Sequence, residues 1–531
     1  MAATRVVSDI SRGRVARDED GLVTPIRLDD LPAIDTDVLV VGAGPTGLMA
    51  GLVLHRRGVA AVVVDRKAGP TRESRALVVH ARSMEIYDQL GLAETVLERA
   101  YLATRLQVGA SPRGPGPNVT LLQTGGTRFP GVQVFEQSRN EELLSDTLRD
   151  GGADVRWKHR LVDLSDRTAE PDGRVEALLE NDDSALLRVR ARWCIGADGA
   201  SSTVRRQLNL PFEGNTDDAT FWVADVHDVR GVPDSALNLR VGRSTFAVIF
   251  PLGPGGHTRL IALAPRDEIA QDEALAAADA DFGLTHGAVD WFSTYRVHHR
   301  VAAKFRVGSV FLAGDAAHVH SPVGGQGMNT GLQDAHNLAT LLADVAQGRR
   351  DPAALDRYEL ERRPVALTLV NVTDRAFGVI GRRSVVPALI RRVVAFLGAT
   401  AIPLLVKTRL GARVGGYLGQ YRIRYHFGEA RPSDPAVGLR LPPVGDNQQA
   451  LRTMTWQLHG YGAGALRRPD LPDWIEGPCD FGRDPRGRLR SDCVYLVRPD
   501  QFVAASIPLR GNNIDEEALR AAIRAHRLPV G

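Results

Sequence analysis

Cysteine is scarce: Cys194, Cys479 and Cys493 are all that 531 residues contain. An odd, widely spaced set excludes a disulfide framework, a redox CxxC pair and a cysteine-rich zinc site, and a reducing, cytoplasmic setting fits it. Neither sign of charge is in excess. Acids and bases are mixed along the chain and leave a formal net charge of +3, so no basic stripe is present to neutralise nucleic-acid phosphates, and no nucleic acid is expected as a partner. Lysine is confined to Lys67, Lys158, Lys304 and Lys407; arginine takes its place, a bias of composition from which no function follows. Long apolar runs are missing too. The most apolar, "VVAFLGATAIPLLV" from Val393 to Val406, is too short to span a bilayer and is interrupted by Pro403, so a buried helix and no membrane contact are expected. The first residues carry arginines and acids without an apolar core, which argues against a secretory or transit signal. There is no internal repeat and no low-complexity tract. What is left, 44% apolar and 24% charged residues, is the composition of a folded globular chain.

Residues 1–34 are polar and without sustained periodicity, and read as an extension. The pattern then changes at "DTDVLVVGAGPTGLMAGLVLHRRGVAAVVVDRK". A continuous apolar strand (Val38 to Val41), a glycine turn, an amphipathic helix to about Arg57 and a second buried strand (Val62 to Val64) make one βαβ unit. Helices are expected before Gly91 and Gly151, which stop them. From about Asn209 to Tyr295, short alternating segments such as "FWVADVHD" and "FAVIFPLG" predict an antiparallel sheet. The chain reads as helical from Val365 to about Leu418. After the proline-rich "PAVGLRLPPVGDN" come the hairpin-like "SDCVYLVRPDQFVAASIP" and a polar helix over Asp515 to His526.

Gly42, Gly44 and Gly47, with Pro45 and Thr46 between them, follow a strand and open a helix, and Asp65 ends the next strand. Glycines at this spacing let backbone N–H groups approach a pyrophosphate at the positive helix end, while the carboxylate takes a ribose hydroxyl. An acid there suits NAD or FAD over NADP. No second fingerprint follows a strand elsewhere. A dehydrogenase would hold its nicotinamide at this one site, whereas a flavoprotein would spend it on FAD and meet NADH or NADPH elsewhere.

Two further segments carry chemistry. In "GADGASSTVRRQL", Asp198 at a strand-to-helix turn suits either a phosphate or sugar cradle or a plain helix-capping turn. In "FLAGDAAHVHSPVGGQGMNTGLQDAHNL", Gly314 and Asp315 end a buried strand, where open α/β sheets bind ligands. Pro322 stiffens the loop, and a helix is expected near Asn329, with the N–H groups of Gly327, Met328 and Asn329 facing developing negative charge. His318 and His320 alternate as on one extended segment, His336 falls on the helix that follows, and a third ligand at defined geometry is lacking. No metal is expected; packing or loop hydrogen bonding is their default, as for His298 and His299.

The segments "VLVVGAGPTGL", "SRALVVHARSMEIYDQLGL", "IGADGASSTVRRQL" and "GSVFLAGDAAHVHSPVGGQGMNTGLQDAHNLATLL" together resemble the group A FAD-dependent aromatic monooxygenases. The likeness is to the branch with a C-terminal thioredoxin-like domain that includes the polyketide-tailoring and rifampicin monooxygenases. The resemblance implies an α/β fold: a Rossmann-like FAD-binding domain in two parts (35–208 and 298–395) around a mostly antiparallel substrate domain (209–297). A helical connector (396–432) and a thioredoxin-like domain (433–531) follow. That last domain lacks CxxC, so Cys479 and Cys493 are expected as core residues rather than a redox pair.

Carried over, Gly42, Gly44 and Gly47 meet the pyrophosphate, Asp65 with neighbouring Arg66 the adenosine ribose, and Gln137 the ribityl or adenosine side. Arg75 and Arg82 flank the flavin and its phosphates, and Asp198 serves FAD and NAD(P)H. Gly314 and Asp315 hold the ribityl chain, Pro322 sits near the ring, and Gly325, Gly327, Met328 and Asn329 lie about the flavin C2 carbonyl. The implied reaction hydroxylates an aromatic, phenolic or polycyclic polyketide substrate with NAD(P)H and O₂ through a C4a-hydroperoxyflavin. Baeyer–Villiger insertion, epoxidation and a non-catalytic flavin-binding protein are the alternatives. No pattern selects a catalytic base among His227, His257 and Tyr295, and the helical, arginine-bearing middle region makes a homodimer conceivable.

Overall fold

The computed structural model of the protein describes residues 5–7, 15–17, 23–25, 30–72, 76–110, 118–120, 126–233, 236–242, 246–264, 266, 268–320, 324–380, 416, 419–427 and 432–529. Arg75, Pro322 and the apolar run from Val393 to Val406 lie outside the described residues.

The βαβ unit forms as read, with wider strands. Ala33–Val41 leads into the Pro45–Arg56 helix and then Ala61–Val64. Val38, Leu39 and Val40 have no exposed surface, as expected of a strand covered on both faces. The strand pairs in parallel with Ala61–Val64 on one side and Leu186–Gly196 on the other, and Leu186–Gly196 pairs in parallel with Val310–Leu312. The carboxyl ends of these strands therefore come together, although Val310–Leu312 lies far along the chain from the first strand. The Pro45–Arg56 helix packs against both Gln137–Asp150 and Gln326–Ala346.

A second eight-stranded sheet faces this layer. It is ordered His318–Val319, Val289–Ala302, Phe212–Val226, Thr258–Leu263, Phe246–Pro251, Ala236–Val241, Arg105–Ala110 and Asn118–Thr120. Every pairing is antiparallel except Ala236–Val241 with Arg105–Ala110. Strands from the 35–208 segment and from beyond residue 297 thus complete this sheet. Period-2 alternation gives it two apolar faces. One, with Trp222, Ile249 and Leu260, packs on Leu275 and Ala278 of the Gln271–Phe282 helix; the other carries Phe221, Phe246, Leu263 and Val297.

The C-terminal region holds a five-stranded sheet, ordered Ile475–Asp480, Trp456–Gly460, Cys493–Val497, Val503–Arg510 and Asn513–Ile514, with the Glu516–Ala525 helix on it. The hairpin and the terminal helix fall where the sequence puts them. One expectation fails here: Cys493 is buried, but Cys479 is exposed, because it lies near the end of the edge strand Ile475–Asp480. This region docks on the rest through polar contacts. The Trp456 indole donates to Asp344 at 2.9 Å, and Gln89 donates to the carbonyls of Leu451 and Pro499 at 2.7 and 2.8 Å.

Candidate active site

Between the two sheets lies a cavity of 590 Å³, within the range of small-molecule sites. Its polar wall is made by two helix starts. Gly44, Pro45 and Thr46 come from the first, Gly325, Gly327 and Met328 from the second, with Gln137 and Asp315 beside them. Neither helix has a side-chain cap or an acid in its first turn. Their first N–H groups and the positive ends of two dipoles are left for an anionic ligand. Phe250, Ile261, Tyr295 and Val297 of the antiparallel sheet form the opposite, largely apolar wall.

The fingerprint glycines divide into two kinds. Gly42 has φ +107°, and a Cβ there would stand 2.3 Å from the Ala197 carbonyl oxygen; at Gly47 it would stand 1.8 Å from the Gly42 oxygen. These two serve the close approach of helix and strand. Gly44 is different: the nearest atom to a Cβ would be Glu141 Oε1 at 4.0 Å. Protein packing does not demand glycine at this cavity-lining position, whereas a pyrophosphate lying against the backbone would.

Asp65 accepts from Ala43 N at 2.6 Å and Lys67 N at 2.8 Å, so it fixes the glycine turn while keeping lone pairs free; Arg66 beside it is exposed. Gln137 Nε2 donates to Glu141 Oε1 at 2.9 Å, and Glu141 also takes Lys67 Nζ at 3.0 Å and Thr71 N at 2.7 Å. Glu141 escaped the sequence reading. Its one local signal is its place one turn after Gln137 on an amphipathic helix.

Asp315 is exposed to the cavity, and the desolvating protein around it raises its carboxyl above the ordinary range, partly offset by His318. Behind it, Gly314 N donates to Asp334 Oδ2 at 3.1 Å, so Gly314 shapes the turn without lining the cavity. His318 Nε2 meets the same Asp334 oxygen at 2.7 Å, and Arg362 Nε meets Oδ1 at 2.6 Å. Burial alone would raise the Asp334 carboxyl; Arg362 and His318 outweigh it and hold the group below its usual range. His320 lines the cavity, His298 lines it with Nδ1 2.9 Å from Thr216 Oγ1, and His299 is buried.

Several sequence expectations are corrected. Arg82 does not flank the cavity: it is buried against the C-terminal region, bonded to Gln501 and to the Asp500 carbonyl at 2.9 Å. Asp198 braces the start of the Thr203–Gln207 helix, whose N-cap is Ser202, accepting from Ser202 Oγ at 2.5 Å and Thr203 N at 2.6 Å, and does not line the cavity. The second helix begins at Gln326, three residues before Asn329, because Gly325 takes φ +62° and serves as its N-cap. Asn329 therefore lies one turn inside. Its Oδ1 accepts from His80 N at 2.8 Å and Ser83 Oγ at 2.7 Å, and its Nδ2 donates to the Val78 and Gly325 carbonyls at 2.8 Å. It is a clamp holding the helix tip, not a cavity residue. Of the three candidate bases, Tyr295 lines the cavity, whereas His227 and His257 stack on each other elsewhere.

The protein resembles known flavoproteins along nearly its whole length. A family model described as "FAD binding domain" matches residues 35–373. The chain is 34% identical to the 6-methylpretetramide 4-monooxygenase of Streptomyces rimosus, over 93% of this chain and 94% of that one. With the rifampicin monooxygenase of Rhodococcus hoagii it shares 33% identity, over 88% and 95% of the two chains. Among solved structures, the OxyS anhydrotetracycline hydroxylase from Streptomyces rimosus matches with a TM-score of 0.75 at 27% identity, covering 94% of this chain and all of that one. The chain belongs to the FAD-dependent aromatic monooxygenases. FAD is its cofactor, and the two uncapped helix starts, the glycine that nothing in the protein requires and the cavity between the sheets fit that cofactor. None of the helices among the described residues is long and apolar enough to cross a membrane.

Proposed function

We propose that this monooxygenase hydroxylates a phenolic or polycyclic, polyketide-like aromatic compound in the cytoplasm, with NADH or NADPH as reductant and O₂ as the oxygen source. The observation that carries the reading is the cavity itself: two helix N-termini on one wall and an apolar sheet face with Tyr295 on the other. The names of the relatives, which act on pretetramides, rifampicin and anhydrotetracycline, favour a substrate of several fused rings. Bound FAD supplies the reduction and oxygen-transfer chemistry.

The chain's own residues do the rest. Backbone N–H groups of Gly44 and Thr46, on either side of Pro45, take the pyrophosphate, Asp65 a ribose hydroxyl, and Gln137 and Asp315 hydroxyls along the chain between. N–H groups from Gln326 to Met328 steady negative charge on the reduced ring system. Phe250, Ile261 and Val297 exclude water from the reacting face and receive an apolar ring, with Tyr295 at its edge. The C-terminal region, read as thioredoxin-like without a CxxC, supports the body and takes no redox step.

Anaerobic reduction of the purified protein by each nicotinamide, with and without aromatic polyketides, followed by oxygenation, tests the proposal. Substrate-stimulated reduction and a product carrying one added oxygen on a ring carbon, located by NMR, are expected. Ring insertion in the product would replace hydroxylation, and a colourless polypeptide that refuses FAD would overturn the reading.

A further inference from the structure

Away from the cavity, at one end of the antiparallel sheet, three side chains of metal-ligand type converge. His227 directly follows the Phe212–Val226 strand, His257 directly precedes Thr258–Leu263, and Asp290 is the second residue of Val289–Ala302. Their meeting is written in the register. Val226 pairs with Thr258 across the antiparallel ladder, so His227 and His257 are the next cross-strand pair. Their rings stack with centroids 4.3 Å apart and planes within 6°. On the other side, Asp225 pairs with Trp291 and Val226 with Val289, a register shift that leaves Asp290 as the extra residue of a bulge. Bulges re-aim side chains, and this one brings Asp290 Oδ2 to 2.7 Å from His227 Nε2 and 3.8 Å from His257 Nε2.

We propose that His227, His257 and Asp290 form a binding site for a divalent transition-metal ion of the zinc type, tying three neighbouring strands together. Two imidazole nitrogens and one carboxylate are a donor set that suits zinc-like ions and leaves a fourth position for water. Around a tetrahedral ion with bonds of about 2.0–2.1 Å, donor atoms stand about 3.3 Å apart. The present His–Asp separations of 2.7 and 3.8 Å straddle that value, and all three donor atoms lie within 4.8 Å of one another; the two stacked rings tilt out of their parallel planes to point both nitrogens at one ion. The backbone is already set: His227 N donates to the Ala288 carbonyl at 2.9 Å, Gly287 N to the His227 carbonyl at 2.8 Å, and Leu252 N to the His257 carbonyl at 2.9 Å. Arg259, two residues after His257, is buried and engaged by Asp225 at 2.5 Å and Glu136 at 3.2 Å. The three side chains are 40%, 27% and 55% exposed, giving the ion an open approach.

The test uses the full-length, FAD-loaded protein with Zn²⁺ as the probe. Equilibrium dialysis with metal analysis should find one bound equivalent at neutral pH, undiminished by excess Mg²⁺, and the melting temperature should rise with Zn²⁺. His257→Ala and Asp290→Asn should each weaken binding by at least the roughly 10- to 100-fold that loss of an outer-shell partner costs, and should abolish the thermal shift. His159→Ala, whose ring bonds the Trp157 carbonyl, should leave both unchanged. If a variant fails to fold, Co²⁺ bound to the unaltered protein gives a second readout: tetrahedral absorption bands at wavelengths beyond those of the flavin. Absence of a bound equivalent in the unaltered protein, or binding that survives in both site variants, overturns the proposal.

Discussion

Arg362 Nε lies 2.6 Å from Asp334 Oδ1, and neither side chain has any exposed surface. The pair joins the middle of the Gln326–Ala346 helix to the Arg357–Ile380 helix, while the second Asp334 oxygen holds Gly314 N and His318 behind the cavity wall. On its far side Arg362 reaches Tyr425 Oη at 3.1 Å, and Tyr425 stacks on Phe502 with ring centroids 4.0 Å apart. The turn bearing Asp315 and the C-terminal region thus share one buried charge pair.

Removing one partner of that pair strands the other charge in the interior. Arg362→Met is expected to cost about 3–5 kcal/mol of folding stability, read from urea denaturation. Because Asp334 then loses the larger of the two charges that offset its burial, its carboxyl should titrate higher, and the FAD site should loosen along with the Gly314 turn. A loss confined to stability, with FAD affinity unchanged in the folded fraction, would show that Asp334 does not set the turn.

Asn329 gives a second prediction. Asn329→Ala deletes four hydrogen bonds of 2.7–2.8 Å in a fully buried setting, leaving the His80 amide and the Val78 carbonyl without those partners. A cost of about 3 kcal/mol is expected from unsatisfied buried groups. Since the same bonds fasten the helix tip whose Gly327 and Met328 line the cavity, the apparent FAD dissociation constant should rise together with the fall in melting temperature.

The pH dependence of stability follows from buried neutral histidines. Burial pushes His80 down to about 4 from 6.5, despite its bond to the Gly324 carbonyl at 2.8 Å, and burial pushes His459 to about 3 and His336 well below 6.5. A histidine whose folded pKa is depressed binds fewer protons when folded. Its contribution is fully present above pH 6.5 and is lost as pH falls from there towards the folded value. For His80 alone the loss between pH 6.5 and 5 is about 2 kcal/mol. Urea midpoints should therefore drop steeply below pH 6.5, and His80→Gln should flatten that slope; an unchanged slope would assign the acid sensitivity to other groups.

Local pattern accounts for much of what the chain announces. The glycine turn, the run Val38 to Val41, the stop at Gly151 and the alternation of "FAVIFP" are short-range signals, and the corresponding elements form. What eluded the sequence depends on partners far along the chain. Arg82 meets Gln501, 419 positions away, and no neighbour of Arg82 marks that contact. The helix start was misplaced because Gly325 caps it through a left-handed backbone rather than a Ser, Thr or Asp side chain. His227 and Asp290, 63 residues apart, meet only because of a ladder register and a bulge.

The contrast between two fingerprint glycines gives the sharpest test of the FAD site. At Gly42, a methyl group would collide with the Ala197 carbonyl at 2.3 Å on a backbone at φ +107°, so Gly42→Ala should damage folding itself, with a large fall in melting temperature and little holoprotein. At Gly44 the backbone is extended, φ −77° and ψ −179°, and the nearest atom to a Cβ is 4.0 Å away. Gly44→Ala should therefore fold with a melting temperature within a few degrees of the parent's apoprotein. Its methyl group would instead occupy space along the cavity wall where the pyrophosphate approaches the helix start, and FAD affinity should fall by roughly tenfold or more, the equivalent of about 1.4 kcal/mol. The two variants separate packing from binding: fluorescence titration with FAD and thermal melts of the apoproteins should place the defect of one in the fold and of the other in the ligand. A Gly44→Ala protein that binds FAD as tightly as the parent would mean that the cofactor does not lie against this turn.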